Sequence, residues 1–177
     1  FGGVYAAGVL GWSIVQIGVF GLLAAVVGAL GAGLGGMADH ARGPKPVVVA
    51  CLVLLIAFSA LGVSASREAI FFVVAVDEAS SLPDILFYIA GAGVGGAGGA
   101  LQAASRTLLV RQAEAGRMTV AFGLYALAGK ATAFLAPLAV AVATGLFENQ
   151  QAGVAPVIGL FLLGLVMMAP VDPEGER

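Results

Sequence analysis

Five stretches of this chain, at 14–37, 47–64, 85–104, 119–145 and 153–169, are apolar for 17 to 27 residues each, and only the fourth contains a charged residue. At ~1.5 Å of rise per residue, each reaches or approaches the ~30 Å hydrocarbon layer of a bilayer when helical. Backbone N–H and C=O groups find no water there, so the segments must satisfy them internally, and helices do this segment by segment. The polar residues gather in the joints, at 39–46, 65–84, 105–118 and 147–152. Composition agrees: 60% of residues are hydrophobic, 10% are charged, and the mean hydropathy is +1.06. A water-soluble domain carries about 25% charged residues, so this chain could not cover a surface against water. The expected class is an all-α integral, multi-pass membrane protein.

The opening stretch 1–11 is apolar but too short to span, and lacks a basic leader, so it reads as a first helix cut short. A re-entrant or interfacial segment is the alternative. Counting it, the chain makes a six-helix bundle with its first helix truncated. Between the second and third long segments, 70–76 is a run of seven β-branched, aromatic and small residues. It is too short to cross and is expected to form an external hairpin, the alternative being an extension of the preceding helix.

Charge sets the expected orientation. The 39–46 joint holds Arg42 and Lys45, and the 105–118 joint holds Arg106, Arg111 and Arg117. Between them the 65–84 joint has Arg67 against Glu68, Asp77, Glu78 and Asp84. By the positive-inside rule the two basic joints and the C-terminus are cytoplasmic. The net charge of −2 excludes a nucleic-acid binder that rests on bulk positive charge. Cys51 stands alone in an apolar run, His40 has no partner ligands at metal spacing, and neither a metal nor a cofactor is expected.

Lys130 is the charge inside the fourth segment, ~18 Å along the helix from Met118 and so near mid-membrane. An ammonium there costs roughly 2.5–3.5 kcal/mol on insertion scales, which marks it as a functional candidate. At helical spacing Gly123, Ala126, Ala133 and Pro137 share its face, and all but the proline are small. Pro137 cannot donate a backbone hydrogen bond, so a carbonyl near Ala133 loses its partner and the helix is expected to bend there. Two readings stay open: Lys130 meets a carboxylate of a substrate or partner helix, or it is a structural lysine bonded to carbonyls. Tyr125 and Thr132 are polar handles on adjoining faces. Gln102, Gln16 and Tyr5 are further candidates for a substrate or coupling site. Asp39, Arg42, Lys45, Arg106 and Arg111 are candidates for gating or for the cytoplasmic loops.

Glycine numbers 27, mostly within the apolar segments. Small residues at helical spacing let membrane helices approach closely. Gly21, Gly28 and Gly35 recur every seven residues, Gly31 and Gly35 are four apart, and Gly91, Gly95 and Gly99 form a double small-xxx-small run. These faces are expected to meet neighbouring helices. Gly91, Gly93 and Gly96 also fit G-x-G-x-x-G, but no strand–helix alternation surrounds them and no acidic partner follows on a second strand. No Ser/His/Asp set, mid-membrane carboxylate pair or zinc spacing occurs, so no enzymatic activity is expected.

The run Gly35-Gly-Met-Ala-Asp-His-Ala-Arg-Gly-Pro-Lys45 resembles the loop between the second and third helices in each half of major facilitator superfamily transporters. It departs from that pattern in having His40 at the usual acidic place and Pro44 at a basic one. Gln102-Ala-Ala-Ser-Arg-Thr-Leu108, Gly116-Arg-Met118 and Phe122-Gly-Leu-Tyr-Ala-Leu-Ala-Gly-Lys-Ala-Thr-Ala-Phe-Leu-Ala-Pro137 are similar to the vacuole-effluxer-like permeases, as are Phe1-Gly-Gly-Val-Tyr-Ala-Ala-Gly8 and Arg67-Glu-Ala-Ile-Phe-Phe72. The resemblance implies that residues 1–177 are the C-terminal half of a twelve-helix transporter, with an N-terminal six-helix half as partner. It implies a small-molecule substrate, amino acids among the candidates, moved by alternating access in a bacterial inner membrane. The competing class is a membrane scaffold that packs through its glycine faces and carries no substrate.

Overall fold

The computed structural model describes residues 2–77, 80–114 and 116–173. Phe1, Glu78 and the tail residues 174–177, which entered the sequence argument, lie outside the described residues. The chain is helical almost throughout: α1 (Gly2–Val9), α2 (Ile14–Arg42), α3 (Pro44–Val63), α4 (Leu82–Gln112), α5 (Met118–Thr132), α6 (Leu135–Phe147) and α7 (Gln150–Met168). With α5 and α6 taken together, five helical segments are long and apolar enough to cross a membrane. This is an all-α, multi-pass membrane architecture.

The joints are built from residues that suit them. Ser13 caps α2 by accepting from the Gln16 amide, while the Gln16 side chain accepts from the Ser13 amide, a reciprocal capping box. Gly43 ends α2 and starts α3 at φ 83°, a backbone region open to glycine, and its N–H reaches Asp39 O at 2.8 Å. Pro44 follows in the first turn of α3, where no amide is needed. Between α3 and α4 the expected hairpin is present, with strand β1 (Ala69–Ile70) antiparallel to strand β2 (Val74–Ala75). Phe71 and Phe72 turn the corner at φ 54° and 62°. The helices also reach beyond the apolar runs that announced them, most of all α4, which continues from Leu82 to Gln112.

The fourth apolar segment is not one helix, as a continuous 119–145 span would require. It breaks at Ala133 and Phe134 into α5 and α6. Pro137 has no amide for the Ala133 carbonyl, and the Thr132 hydroxyl bonds back to Ala128 O at 2.8 Å, which also favours a bend. Ala133 N–H closes a tighter turn onto Lys130 O at 3.3 Å.

α4 is the centre of the bundle. α2 packs along one side and α3 along another; α7 lies on α3, and α6 on α7. The α2–α4 contact is a seam of bare backbone. A Cβ placed on Gly28 would stand 3.2 Å from Gly95 O, and one on Gly35 would stand 2.7 Å from the Ala100 Cα. At Gly31, Gly95 and Gly99 it would run into the carbonyls of Gly96, Ala24 and Gly28. The expected Gly91, Gly95 and Gly99 run is therefore packed throughout, with Gly91 under the Phe20 ring. Gly21 is the exception: nothing lies within 4 Å of its Cβ position, so the seven-residue repeat joins the seam only at Gly28 and Gly35.

Side-chain cores close the two ends. Tyr5, Leu10, Trp12 and Phe87 are buried together at the Arg67 end, with Phe20 and Tyr88 against them. Val47, Val48, Cys51, Leu52 and Ala104 form the other core, toward the Arg111 end. Replacing Gly99 with Ala should lower the thermal midpoint of the purified protein. Overpacking costs about 1–3 kcal/mol, more than the ~0.5–1 kcal/mol of helix propensity gained. Gly98→Ala, where no atom lies within 4 Å, should leave the midpoint unchanged or raise it.

Candidate functional site

Polar side chains concentrate at the two ends of the bundle and along one open face between them. At the Arg67 end Arg67, Asp84, Trp12 and Tyr5 are held by one another or by backbone carbonyls. Asp84 stands in the first turn of α4, where the helix dipole favours a carboxylate. It receives Arg67 through two bonds of 3.0 and 2.9 Å and the Trp12 indole N–H at 2.5 Å. Arg67 Nε also donates to Leu10 O at 2.8 Å, tying the α1–α2 turn to the hairpin. The Tyr5 hydroxyl has one proton and shares it between Val63 O and Ala65 O, at 3.1 and 3.0 Å. Tyr5 is thus buried and committed to the end of α3. Gln16, in its capping box, is exposed at this same end.

At the Arg111 end Asp39 is buried to 4% exposure, and Arg111 Nη2 approaches its Oδ1 at 4.0 Å. That is too long for a hydrogen bond, so the two attract as charges, and Oδ1 has no hydrogen-bond partner among the described residues. Lys45 reaches across to the end of α7 and donates to Ala169 O and Val171 O at 3.0 and 2.6 Å. A cation on the last carbonyls of a helix is favoured by their partial negative charge. Gln112 adds a bond to Asp172 O at 2.9 Å.

The exposed polar residues between the ends, the open face, lie on α4 and α5, with Lys130 standing about 140° around α5 from Tyr125. Gln102 and Arg106 lie one turn apart on α4 and are exposed. Ser105, beside them, shares a 3.0 Å hydrogen bond with the Tyr125 hydroxyl of α5. Further along α5 stands Lys130, exposed and without a hydrogen bond or ion pair among the described residues. No residue of α5 is buried. Thr132 faces its own helix through the bond to Ala128 O. The structure thus brings Ser105 and Tyr125 together, leaves Gln102, Arg106 and Lys130 uncovered, and places Tyr5 and Gln16 at the Arg67 end. A separate apolar cavity of about 350 Å³ opens beside Tyr5, walled by Phe20, Phe58, Phe87 and Phe161, and includes none of the open-face residues.

The Arg67–Asp84–Trp12 cluster was not foreseen from sequence. Its signal was an Arg, an Asp and a Trp each at the margin of an apolar run, where anchoring residues belong. The Lys45 cap on α7 had no local signal, because its partners lie more than 120 positions away.

A family model described as Vacuole effluxer Atg22 like matches residues 3–177. Comparison with curated proteins gives no match, and neither does comparison with solved structures.

Arg67→Leu should leave Asp84 with the Trp12 bond alone and free the Leu10 carbonyl. Bonds to charged groups contribute roughly 1.5–3 kcal/mol. The variant should therefore unfold at lower temperature in detergent, while Glu68→Ala, in the same joint, should not.

Proposed function

Since the chain belongs to the Vacuole effluxer Atg22 like family, we propose that it forms the C-terminal six-helix half of a twelve-helix secondary transporter and that its open polar face lines the substrate path. The family is one of small-molecule transporters, and amino-acid efflux is the activity this reading assigns. The observation that carries it is Lys130: an exposed ammonium as the sole charge of α5, ~18 Å along the helix from Met118. In hydrocarbon such a group costs roughly 2.5–3.5 kcal/mol, so it is retained where water, a carboxylate or a polar cavity meets it.

An amino acid supplies that carboxylate. Lys130 would take it, while Gln102 and Ser105 of α4 and Tyr125 of α5 itself supply hydrogen-bonding groups. Arg106 lies further toward the Arg111 end and would hold anions at the mouth. The two halves would rock about this site and open it to one side and then the other. On this reading the Arg111 end and the C-terminus would face the cytoplasm, following the positive-inside rule, and the protein would sit in a bacterial inner membrane. Asp39 with Arg111, and Lys45 with α7, would then hold the cytoplasmic end of this half together as it moves.

The test is transport by the full-length protein in liposomes loaded with labelled amino acids. Lys130→Ala should reduce efflux about tenfold or more, the equivalent of ~1.4 kcal/mol of lost interaction, with the thermal midpoint unchanged. Lys130→Arg, which keeps the charge, should retain part of the rate. Efflux by Lys130→Ala equal to that of the native protein would overturn the role given to the lysine. Absence of transport of any small solute by the native protein would overturn the transporter reading.

A further inference from the structure

α2 and α3, joined at Gly43, pack mainly on α4 and far less on each other, and a groove of about 720 Å³ is left between them. Leu30 and Leu34 of α2 form one wall, Ala50 and Leu54 of α3 the other, and Gly96 and Ala100 of α4 the floor. Its floor is made of residues without bulk. Along α2 its apolar lining runs from Val27 to Ala38, ~17 Å of helix, close to the ~15 Å hydrocarbon depth of a single leaflet.

The groove has one charged end. Arg42, one turn beyond Ala38, lines it there, across from Pro46. Arg42 is exposed and makes no hydrogen bond or ion pair among the described residues. The neighbouring charges are otherwise engaged: Lys45 on carbonyls at and just beyond the end of α7, and Asp39 with Arg111. An apolar trough of leaflet depth with an unclaimed guanidinium at its headgroup end fits a molecule that is greasy along its length and anionic at one tip.

We propose that this groove is a phospholipid site: an acyl chain lies between α2 and α3 on the small residues of α4, and the lipid phosphate pairs with Arg42. Guanidinium binds phosphate through two parallel N–H···O bonds, which an ammonium does not reproduce. Basic sites between helices at an anionic membrane face select acidic headgroups in the same way. The site depends on the chain lying in a bilayer and not on the transport reading, so the two can fail separately.

Native mass spectrometry of the full-length protein, purified from micelles containing equal phosphatidylglycerol and phosphatidylcholine, tests it. The native protein should retain phosphatidylglycerol several-fold over phosphatidylcholine. Arg42→Gln should bring that ratio close to one, and Ala50→Phe, which fills the trough, should remove the retained lipid of both kinds. If Ala50→Phe does not fold, Leu54→Trp serves, since Leu54 is 46% exposed on the same wall. Millimolar inorganic phosphate should not displace the lipid. Equal retention of both lipids by the native protein, or retention unaffected by the trough-filling variant, would overturn the proposal. So would displacement by phosphate alone, which would make the site a simple anion site. A dimer that Ala50→Phe converts to monomer would assign the groove to a second copy of the chain and equally overturn it.

Discussion

The architecture depends on two helices being allowed to touch backbone to backbone. Hydrocarbon offers no hydrophobic drive for one apolar helix to prefer another over lipid, so association has to come from close van der Waals fit. The α2–α4 seam provides it. Gly28, Gly31 and Gly35 lie against Gly95, Gly96, Gly99 and Ala100, with carbonyls where side chains would otherwise stand. With α2 and α4 fixed, α3 finds its place on α4, α7 follows on α3, and α6 on α7. The same lack of bulk opens the trough between α2 and α3. Glycine, which weakens helices in water through backbone entropy, does little harm where no water competes for the amides.

The two ends of the bundle solve different problems. At the Arg67 end, four chain segments converge on Asp84, Arg67, Trp12 and Tyr5, and nearly every polar atom there has a partner. At the Arg111 end the bonding is looser. Asp39 is buried with its charge partner at 4.0 Å, and Arg106 and Arg42 make no hydrogen bond or ion pair among the described residues. The protein is thus stapled at one end and electrostatically adjustable at the other, with the open polar face of α4 and α5 between.

Much of this was legible in the residues. Apolar runs of spanning length located every long helix, because hydrocarbon leaves the backbone no alternative. The polar, basic stretch 39–46 marked the α2–α3 joint, and Pro137 marked the break near Ala133. Helix ends were read short, since Leu82 to Asp84 and Arg106 to Gln112 are helical but too polar to count as membrane core. Gly21 shows the limit of periodicity: it shares the spacing of Gly28 and Gly35, yet no neighbour reaches it. Of the candidate site, Lys130 stood out because one charge in 27 residues is conspicuous. The Ser105–Tyr125 bond and the Lys45 cap were hidden, because they depend on which helices become neighbours.

The break at Ala133 and Phe134 has a mechanical corollary. Lys130 sits ~5 Å from that joint along α5, whereas Met118 sits ~22 Å from it. A tilt of α5 about the joint therefore sweeps its far tip through an arc several times that of the ammonium. Moving a unit charge through the full membrane potential involves about 2.3 kcal/mol per 100 mV. A cation placed beside the fulcrum would cross little of that field, so a tilt of α5 would move the ammonium at small electrical cost.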